Sequence, residues 1–518
     1  MAKITLIRPP TVASRRGYSI AVVPPIGLAY VAASLREAGH RVQVIDALAE
    51  DVGQMGPTAH PGLLYQGLSI PEVLERIDPD TDAVGLSYMF SLGWPHHHRM
   101  LIELGRRFPG LPVILGGEHP TAAYDSILKT CPPVTCVGLG EGDEIIVDFA
   151  EYLEGRRSLE SVSSVAYRSG GAVKTTAPRP RIRDVDALPA PAWDLWPMEK
   201  YLDAGFGYGV DHGRSMPILA SRGCPYQCTF CSSPQMWTTR YAMRTPSKVL
   251  DEVARYQRDY GATNIDFYDL TAIVRKDWIM SFTGEIKRRS MKFTWQLPSG
   301  TRSEALDAEV LKELSETGCV NLTYAPESGS ERTLQAVKKR VKLGRLVKSM
   351  REAKKQGISV KCNMIIGFPD ETRMDVFRSL FFVWKAALAG VDDCPLVLFT
   401  PYPGSELFKN LRAKGRIGEM DEDYYFSLAC YMDMSVTSDY CENVGARELN
   451  FYRVFGMSVF YALTYLSRPW RLLRTLRNFR DDKSDTVFEQ RVLDMWKRRA
   501  LGDSLPAAKP AAPAAVES

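Results

Sequence analysis

The sequence predicts an α/β protein in which a doubly wound, Rossmann-like domain is followed by a partial (βα)6 barrel and a helical C-terminal region. Three observations predict this fold class. Apolar strand-like runs alternate with helical patterns over residues 1–150, the alternation resumes over 215–410, and residues 411–500 turn helical and aromatic. Strands that alternate with helices at this spacing form parallel sheets. The second stretch has about six strand–helix units, fewer than a closed barrel needs.

The composition is that of a globular chain with several domains. It has 518 residues, 45% of them hydrophobic, so it can bury several cores. The 65 Lys and Arg nearly balance the 61 Asp and Glu, which argues against a nucleic-acid partner. Ten cysteines are too few for a disulfide scaffold, the start "MAKITLIRPP" lacks an apolar signal region, and no apolar run has the roughly 18 residues of a membrane span. We therefore expect a cytoplasmic protein.

The first domain, residues 1–150, starts with the strand-like run "KITLIRP" and the helical run "GLAYVAASLREAGH", and the alternation continues to "DEIIVDFAEYL". Sheets of this kind bind ligands at the carboxyl ends of their strands. Alternatively, glycines at those ends only form tight turns. The loops expected at that edge contain Pro9–Pro10, Asp46, Ser87, Gly116–Gly117 and Gly138–Glu141.

The remaining boundaries follow from composition. Residues 151–214 are rich in Pro and Gly, which predicts a small hairpin and a linker. The barrel, 215–410, begins at "MPILAS" and ends at "TPYPG". After the helical region 411–500, the Ala/Pro tail 501–518 has no core-forming pattern, and we expect it to be disordered.

The stretch "SRGCPYQCTFCSSP" places Cys224, Cys228 and Cys231 directly after the first strand of the barrel. Functional residues of strand–helix barrels collect on such loops. A structural zinc site uses four ligands and a disulfide uses two, so neither explains three clustered thiols. An iron–sulfur cubane normally takes four cysteines. Three cysteines would leave one iron open for another ligand.

This CxxxCxxC arrangement resembles the signature of the radical S-adenosylmethionine (SAM) enzymes. The resemblance implies a [4Fe-4S] cluster whose open iron binds the amino and carboxylate groups of SAM. An electron from the cluster, supplied by a donor such as flavodoxin or ferredoxin, would cleave SAM to a 5′-deoxyadenosyl radical. Three incidental cysteines, or a zinc site completed by a distant residue, remain the alternatives.

The resemblance extends over the barrel and implies contacts to SAM. "TRSEALDAEVLKELSETGC", "LTYAPESGSERTL", "CNMIIGFPDET" and "TPYPGSEL" are similar to the family's third to sixth strand regions. After the second strand, this chain reads "DFYDLT" where many members carry Gly-Gly-Glu, so Tyr268 and Asp269 occupy the loop that holds the methionine amino group. The SAM contacts implied are Phe230, Tyr268, Asp269, Arg302, Glu327, Ser328 and Gly367.

An α/β domain before such a barrel resembles the cobalamin-binding subgroup of the family. Cobalamin domains often carry Asp-x-His-x-x-Gly, and the matching segment here is "DALAED", with Asp46 retained and Leu48 in place of the histidine. Ser87 and Gly116–Gly117 fit the parts of the pattern that accommodate the nucleotide tail. Since leucine cannot ligate cobalt, we expect no histidine below the metal.

The histidines near this edge are not expected to form a metal site. His96, His97 and His98 are consecutive, and consecutive helix residues point about 100° apart, so they cannot converge on one ion. We expect a solvated helix start or polar contacts to a ligand. His119, beside Gly116–Gly117, is either a pocket residue or a satisfied surface histidine.

The resemblance implies a class B radical SAM methyltransferase that adds a methyl group to an unactivated carbon of a small molecule, with cobalamin as a further cofactor. A cobalamin-dependent oxidative cyclase or rearrangement enzyme, similar to the anaerobic magnesium-protoporphyrin ester cyclases, is the alternative. A non-catalytic iron–sulfur binding or regulatory protein is an alternative of another class.

The stretch "SRPWRLLRTLRNFR" (467–480) predicts an amphipathic helix. Arginines recur every third residue from Arg468 to Arg480. The helix could lie at a membrane surface, with arginines toward anionic headgroups and Trp470 at the boundary, which would favour a hydrophobic substrate. Alternatively, the apolar stripe packs against the barrel and the arginines face solvent. The stripe consists of Leu472, Leu473, Leu476 and Phe479.

Overall fold

The structure is a computed structural model that describes residues 1–17, 22–204, 209–301 and 305–502. Most of the predicted tail therefore lies outside the described residues. The fold class is confirmed: a doubly wound domain, a six-stranded partial barrel and a helical C-terminal region follow one another. The first part contains β1 (Lys3–Arg8), β2 (Thr11–Ser14), α1 (Ile26–Glu37), β3 (Arg41–Asp46), α2 (Ala47–Glu50), β4 (Met55–Pro57), β5 (Leu63–Gln66), α3 (Ile70–Glu75), β6 (Ala83–Ser87), α4 (Trp94–Arg107), β7 (Val113–Gly116), α5 (Glu118–Thr130), β8 (Cys136–Gly138), α6 (Gly142–Leu153), β9 (Val165–Ser169), β10 (Ala172–Thr175) and α7 (Met198–Asp203).

The first sheet has seven strands in the order β10-β9-β8-β7-β6-β1-β3. Neighbours from β3 to β8 are parallel, whereas β9 and β10 pair antiparallel. The sequence predicted a small hairpin and a linker over residues 151–214, and the hairpin β9–β10 adds two strands to this sheet because Tyr167 pairs with Cys136 of β8. A small three-stranded sheet, β2-β5-β4, was not foreseen, since its strands are only three or four residues long.

The barrel sheet is parallel, and its strand order follows the chain: β11-β14-β15-β16-β17-β18. At least one helix follows each strand of this sheet along the chain. The elements of the barrel are β11 (Ser215–Ile218), β12 (Ser221–Arg222), α8 (Ser233–Trp237), β13 (Ala242–Met243), α9 (Pro246–Tyr260), β14 (Asn264–Phe267), α10 (Lys276–Arg288), β15 (Thr294–Thr301), α11 (Ala308–Glu316), β16 (Cys319–Glu327), α12 (Glu331–Ala336), α13 (Leu343–Lys355), β17 (Ser359–Ile366), α14 (Arg373–Ala389), β18 (Leu396–Leu398) and α15 (Glu406–Ala413).

Local sequence sets the helix ends around the barrel. α9 begins with Pro246, whose missing N–H costs nothing in the first turn, and it ends at Gly261 in the left-handed conformation (φ 60°). α14 begins with a capping box between Thr372 and Asp375 and ends at Gly390 (φ 96°). These stops let the chain return to the next parallel strand.

The C-terminal region contains α16 (Glu422–Ser427), α17 (Ala446–Ser467), α18 (Pro469–Arg480) and α19 (Val487–Gly502). α17 packs on α14 and on the edge strand β18. No helix in the described part of the chain is both long and apolar enough to span a bilayer.

The leucines of the amphipathic helix α18 point away from the barrel, contrary to one of the two sequence interpretations. Leu472, Leu473 and Leu476 are exposed, so the prediction that the stripe packs against the barrel is wrong. Arg471 is buried and donates to the carbonyl of Gly390 (2.8 Å). Both interpretations placed every arginine outside, and for Arg471 both are wrong, because the guanidinium satisfies carbonyls at the end of α14.

Candidate functional site

The cysteine loop leaves the barrel immediately after β12. Gly223 begins it with φ 84°, and a Cβ there would lie 2.1 Å from the carbonyl oxygen of Arg240, so only glycine fits. The amide of Cys231 donates to the carbonyl of Cys228 (3.1 Å), which winds the loop back on itself. Cys224, Cys228 and Cys231 are partly exposed, whereas the other seven cysteines are buried. The three partly exposed thiols are thus gathered at the mouth of the barrel.

The donor set fits an iron–sulfur cluster. Burial raises the pKa of the Cys231 thiol to about 11, so its thiolate needs a cationic partner such as iron. Among the described residues, no group of three or more His, Cys, Asp or Glu could hold a single metal ion. A cluster does not require such convergence, since each thiolate binds its own iron.

Asp269 holds the strand that leads into this loop. Its carboxylate accepts hydrogen bonds from the Ala220 amide (3.0 Å) and from the Ser221 hydroxyl. Burial raises the pKa of Asp269 to about 6. Next to it, the hydroxyl of Thr271 lies 3.6 Å from the Cys224 sulfur. These bonds give Asp269 a structural role; its predicted contact with SAM stays a prediction.

An ion pair joins the cysteine loop to the first domain. Arg222, two residues before Cys224, donates to both carboxylate oxygens of Asp143 (2.7 and 3.0 Å). Both side chains are buried, and the neighbouring carboxylates keep the pKa of Arg222 above its usual value despite the burial. The Ser232 hydroxyl also donates to Glu118. The carboxyl edge of the first sheet and the mouth of the barrel therefore face one another across a fixed junction.

The predicted SAM residues of the later strands lie at the carboxyl ends of β16 and β17. Glu327 ends β16 with φ 70°, which is rare for a residue with a side chain, and it accepts from Lys339 (3.0 Å). Ser328 is fully buried, with its hydroxyl 3.1 Å from that of Ser379. Gly367 follows β17 with φ 87°.

The other predicted SAM residues are more scattered. The ring of Phe230 packs against Phe368, with centroids 5.6 Å apart. Tyr268 is partly buried after β14, and its amide donates to the Ile218 carbonyl (2.9 Å). Arg302 lies outside the described residues. As SAM contacts, all of these positions stay predictions.

Glu371 is a residue that the sequence interpretation missed. Its carboxylate accepts from the amides of Gly367 (2.6 Å) and Phe368 (3.2 Å), and burial raises its pKa to about 7. It therefore fixes the turn after β17, where the predicted adenine contact lies. The signal was present in "GFPDET", because an acid four residues after a glycine can reach back to its amide.

The predicted cobalamin residues line the carboxyl edge of the first sheet. Ser87 ends β6, and Gly116 ends β7 beside it. A Cβ on Gly116 would meet no heavy atom within 4 Å, so the space above it can admit a ligand. Gly117 has φ 100°, and a Cβ there would lie 2.5 Å from the carbonyl oxygen of Tyr88. Such a glycine cradle fits a bulky cofactor.

Asp46 ends β3 at the same edge and is buried. It caps α2 through the Ala49 amide (3.1 Å) and accepts from the Tyr201 hydroxyl (2.6 Å). The Arg8 guanidinium lies 3.5 Å from it. Leu48 is fully buried in the core, so it offers no ligand to cobalt. The contact of Asp46 with cobalamin stays a prediction.

The histidines are more buried than expected. Of the two expectations, a solvated helix start or polar contacts to a ligand, the first is wrong for His96 and His97, which are buried and whose pKa values burial lowers to about 4 and about 3. His97 stacks on Tyr88 (4.7 Å). His119 is also buried and neutral, with its pKa lowered to about 3, and its Nε2 atom has no hydrogen-bond partner among the described residues. The packed histidine rings thus leave ring nitrogens available to a ligand beside Gly116 and Gly117.

The inner face of the barrel carries polar residues that the sequence interpretation did not single out. The Tyr324 hydroxyl meets α13 on the outside (2.8 Å), so Asn321 and Thr323 face inward by strand alternation. Neither inward side chain has a hydrogen-bond partner among the described residues. On β17, Lys361 and Asn363 alternate with buried apolar residues, and burial lowers the pKa of Lys361 to about 8. The alternation in "SVKCNMII" was the available signal.

Comparison with known proteins identifies both halves of this arrangement. The family model described as B12 binding domain matches residues 19–150, and that of the Radical SAM superfamily matches 218–383. An uncharacterized methyltransferase of Pyrococcus horikoshii is 30% identical over 79% of this chain and 82% of its own. The anaerobic magnesium-protoporphyrin IX monomethyl ester cyclase of Cereibacter sphaeroides is 25% identical over 75% of this chain and 60% of its own.

A solved structure shares the fold. The radical SAM methyltransferase TsrM of Kitasatospora setae, with cobalamin and a [4Fe-4S] cluster bound, superposes with a TM-score of 0.61 over 80% of this chain and 78% of its own, at 15% identity.

Proposed function

The chain belongs to the radical SAM enzymes that carry a B12-binding domain, and on that premise we propose that it transfers a methyl group to an unactivated carbon of a small molecule. One observation carries the proposal: the Arg222–Asp143 pair holds the cysteine loop against the carboxyl edge of the first sheet. The residues proposed for the cluster and those proposed for cobalamin therefore share one cleft. When bound, the cluster, SAM and cobalamin would supply radical chemistry and a methyl carrier to that cleft.

The protein's own residues position these groups. We assign the cluster to the three thiols, and Asp269 and Ser221 hold the loop that presents them. Glu371 fixes the turn at Gly367 for SAM. These hydrogen bonds hold the loops in one position, so the cleft already has its binding geometry before the substrate binds.

The inner face of the barrel is the proposed seat of the substrate's polar end. Asn321 and Thr323 offer hydrogen-bonding groups without partners among the described residues, and Lys361 offers a buried amine. A buried polar group is stabilised when a ligand satisfies it. Lys361→Met should raise KM for the substrate while leaving substrate-independent cleavage of SAM unchanged.

A cyclase is the second candidate, favoured by the similarity to the magnesium-protoporphyrin ester cyclase. Reduced, cobalamin-loaded enzyme would be supplied with SAM labelled in its methyl group and with candidate substrates. Label in the product supports methyl transfer, whereas an unlabelled product with a new ring supports cyclisation. Formation of no 5′-deoxyadenosine under reduction would instead favour a non-catalytic protein.

The proposal extends to partners. We propose a reduced flavodoxin or ferredoxin as electron donor, a hydrophobic substrate, and peripheral contact of this cytoplasmic enzyme with a membrane. The exposed Leu472, Leu473 and Leu476 of α18 support the membrane contact.

A further inference from the structure

Three adjacent helices on the outside of the barrel, α14, α17 and α18, carry a concentrated apolar surface. Of the 19 large hydrophobic side chains that are exposed in the described chain, 12 lie on these helices. Soluble monomers rarely expose contiguous apolar patches of this kind, and such patches mark interaction sites. The central members, which define the three-helix face, are Phe381, Phe451, Phe455, Leu466, Trp470 and Leu473.

Contacts between the helices make the face continuous. Phe377 of α14 meets Tyr452 of α17 with ring centroids 5.4 Å apart, and Trp384 meets Phe455 at 6.0 Å. At the far end, Arg468 donates to the Leu388 carbonyl of α14 (3.1 Å), so the junction of α17 and α18 lies against the end of α14. The apolar side chains thus belong to one surface.

Buried arginines hold this face in place. Arg453 of α17 is only 2% exposed and donates to the carbonyls of Cys430 (3.0 Å) and Val436 (3.2 Å). Arg471 of α18 pairs with Asp392 (3.0 Å). Both helices therefore bury cations while Phe451 is 61% exposed and Leu473 67% exposed. The hydrogen bonds of these buried arginines therefore fix the orientation in which the apolar side chains of both helices point outward.

The charge around the face is positive. The helices α13, α14, α17 and α18 carry 14 Lys and Arg but three Asp and Glu. Part of this excess is balanced, because Arg373 pairs with Glu448, Lys354 and Arg471 share Asp392, and Arg474 lies against Asp485. Arg345 and Lys348 of α13 are exposed and make no ion pair within the described residues. The local positive charge comes from the exposed cations that form no ion pair within the described residues, which are Arg345, Lys348, Arg351, Lys385, Arg447 and Arg477.

A groove connects the positive helix to the apolar one. It has a volume of about 400 Å³ and lies between the start of α13, at Leu343 and Gly344, and Met374, Phe377 and Phe381 of α14. Cations therefore flank an apolar depression, as needed for contact with both headgroups and acyl chains.

We propose that the three-helix face docks on an anionic phospholipid bilayer, with the apolar residues in the headgroup boundary and the α13 cations toward the phosphates. A second copy of this chain fits less well, because a two-fold interface would oppose identical cationic surfaces. The inference deepens the membrane contact proposed above and rests on it, but it does not depend on methyl transfer. A hydrophobic substrate would then be met where it partitions.

Flotation with vesicles tests the proposal on the full-length holoenzyme. One set of vesicles contains phosphatidylcholine alone, the other an equimolar mixture with phosphatidylglycerol. The protein should float with the anionic vesicles and much less with the neutral ones. Phe381→Ser, Leu466→Ser, Trp470→Ser and Leu473→Ser together should abolish flotation, because all four side chains are exposed and their loss removes only the apolar contact.

Two double variants with the same net charge test whether binding depends on where the basic residues lie or only on the net charge of the protein. Arg345→Glu with Lys348→Glu should weaken binding at least about 25-fold, since each basic residue near the surface contributes about fivefold. Lys174→Glu with Lys248→Glu changes the net charge equally at exposed positions on other faces that form no ion pair with any described residue, and should bind like wild type. Formation of 5′-deoxyadenosine without vesicles, measured on each preparation, reports separately on the proposed enzyme activity.

Three results would overturn the proposal. Wild-type protein could stay unbound with both vesicle types while folded and active, or the fourfold variant could float like wild type. Light scattering could also show a wild-type dimer that the fourfold variant converts to a monomer, which would assign the face to self-association.

Discussion

Gly117→Ala should damage the first domain, whereas Gly116→Ala should damage only cofactor binding. Gly117 has φ 100° and ψ −176°, a region that essentially only glycine occupies. An added Cβ would also lie 2.5 Å from the Tyr88 carbonyl oxygen and 3.0 Å from its carbon. That carbonyl accepts from the His119 amide (3.2 Å), so relief of the clash would break a hydrogen bond.

The expected cost follows from these two effects. Backbone strain in this region contributes about 1–3 kcal/mol, and a lost hydrogen bond contributes about 1 kcal/mol, so Gly117→Ala should lower the free energy of unfolding by roughly 2–4 kcal/mol. Gly116 has open space above it, so its alanine variant should change stability by less than about 1 kcal/mol. If cobalamin occupies that space, the same variant should retain less of it.

Urea unfolding of the apoprotein measures the first effect, and cobalamin absorbance after desalting measures the second. Wild-type stability of Gly117→Ala would refute the backbone argument. Full cobalamin retention by a stable Gly116→Ala variant would refute the placement of the cofactor over the glycine pair.

Three further predictions concern the metals and the buried acids. Replacing Cys224, Cys228 or Cys231 by Ala should abolish the [4Fe-4S] absorbance, and a variant that lacks all three thiols yet keeps the same cluster would place it elsewhere. Paramagnetic resonance of the cob(II)alamin form should show no nitrogen splitting from an axial imidazole, because Leu48 is buried at the histidine position. Burial raises the pKa of Asp266 to about 7, so the folded state binds its proton more tightly than the unfolded state, and this contribution to stability is lost as pH rises from about 4 to about 7. Asp266→Asn should therefore stabilise the protein more at pH 8 than at pH 5, by roughly 2–3 kcal/mol, because about two pH units of this range lie below the folded pKa, and an equal effect in urea unfolding at both pH values would contradict the sign.

Much of the candidate site was readable because its signals are local. The spacing of Cys224, Cys228 and Cys231 and the pair Gly116–Gly117 each lie within a few residues, and each depends on chemistry or backbone geometry that only those residue types provide. Strand–helix alternation is equally local and gave the fold class. A hairpin was predicted within residues 151–214, but its addition to the first sheet was not, because pairing with β8 depends on a partner distant in sequence.

The roles of single polar side chains required the tertiary structure. The sequence did not show that the oxygens of Asp269 accept from Ala220 and Ser221, which only the packed loop brings within reach. The same holds for the Arg222–Asp143 pair, whose members are far apart in the chain.

The sequence by itself determined the class of the protein, its two strand–helix domains and the thiol motif, because periodicity and close spacing are properties of short segments. Only the tertiary structure decided which way α18 faces. Its pattern of arginines and leucines allows either face to turn inward, since an amphipathic stripe records two chemically different faces but not what each one touches. The carbonyls at Gly390 and Val391, together with Asp392, settle the orientation by binding Arg471, and this turns the leucines out.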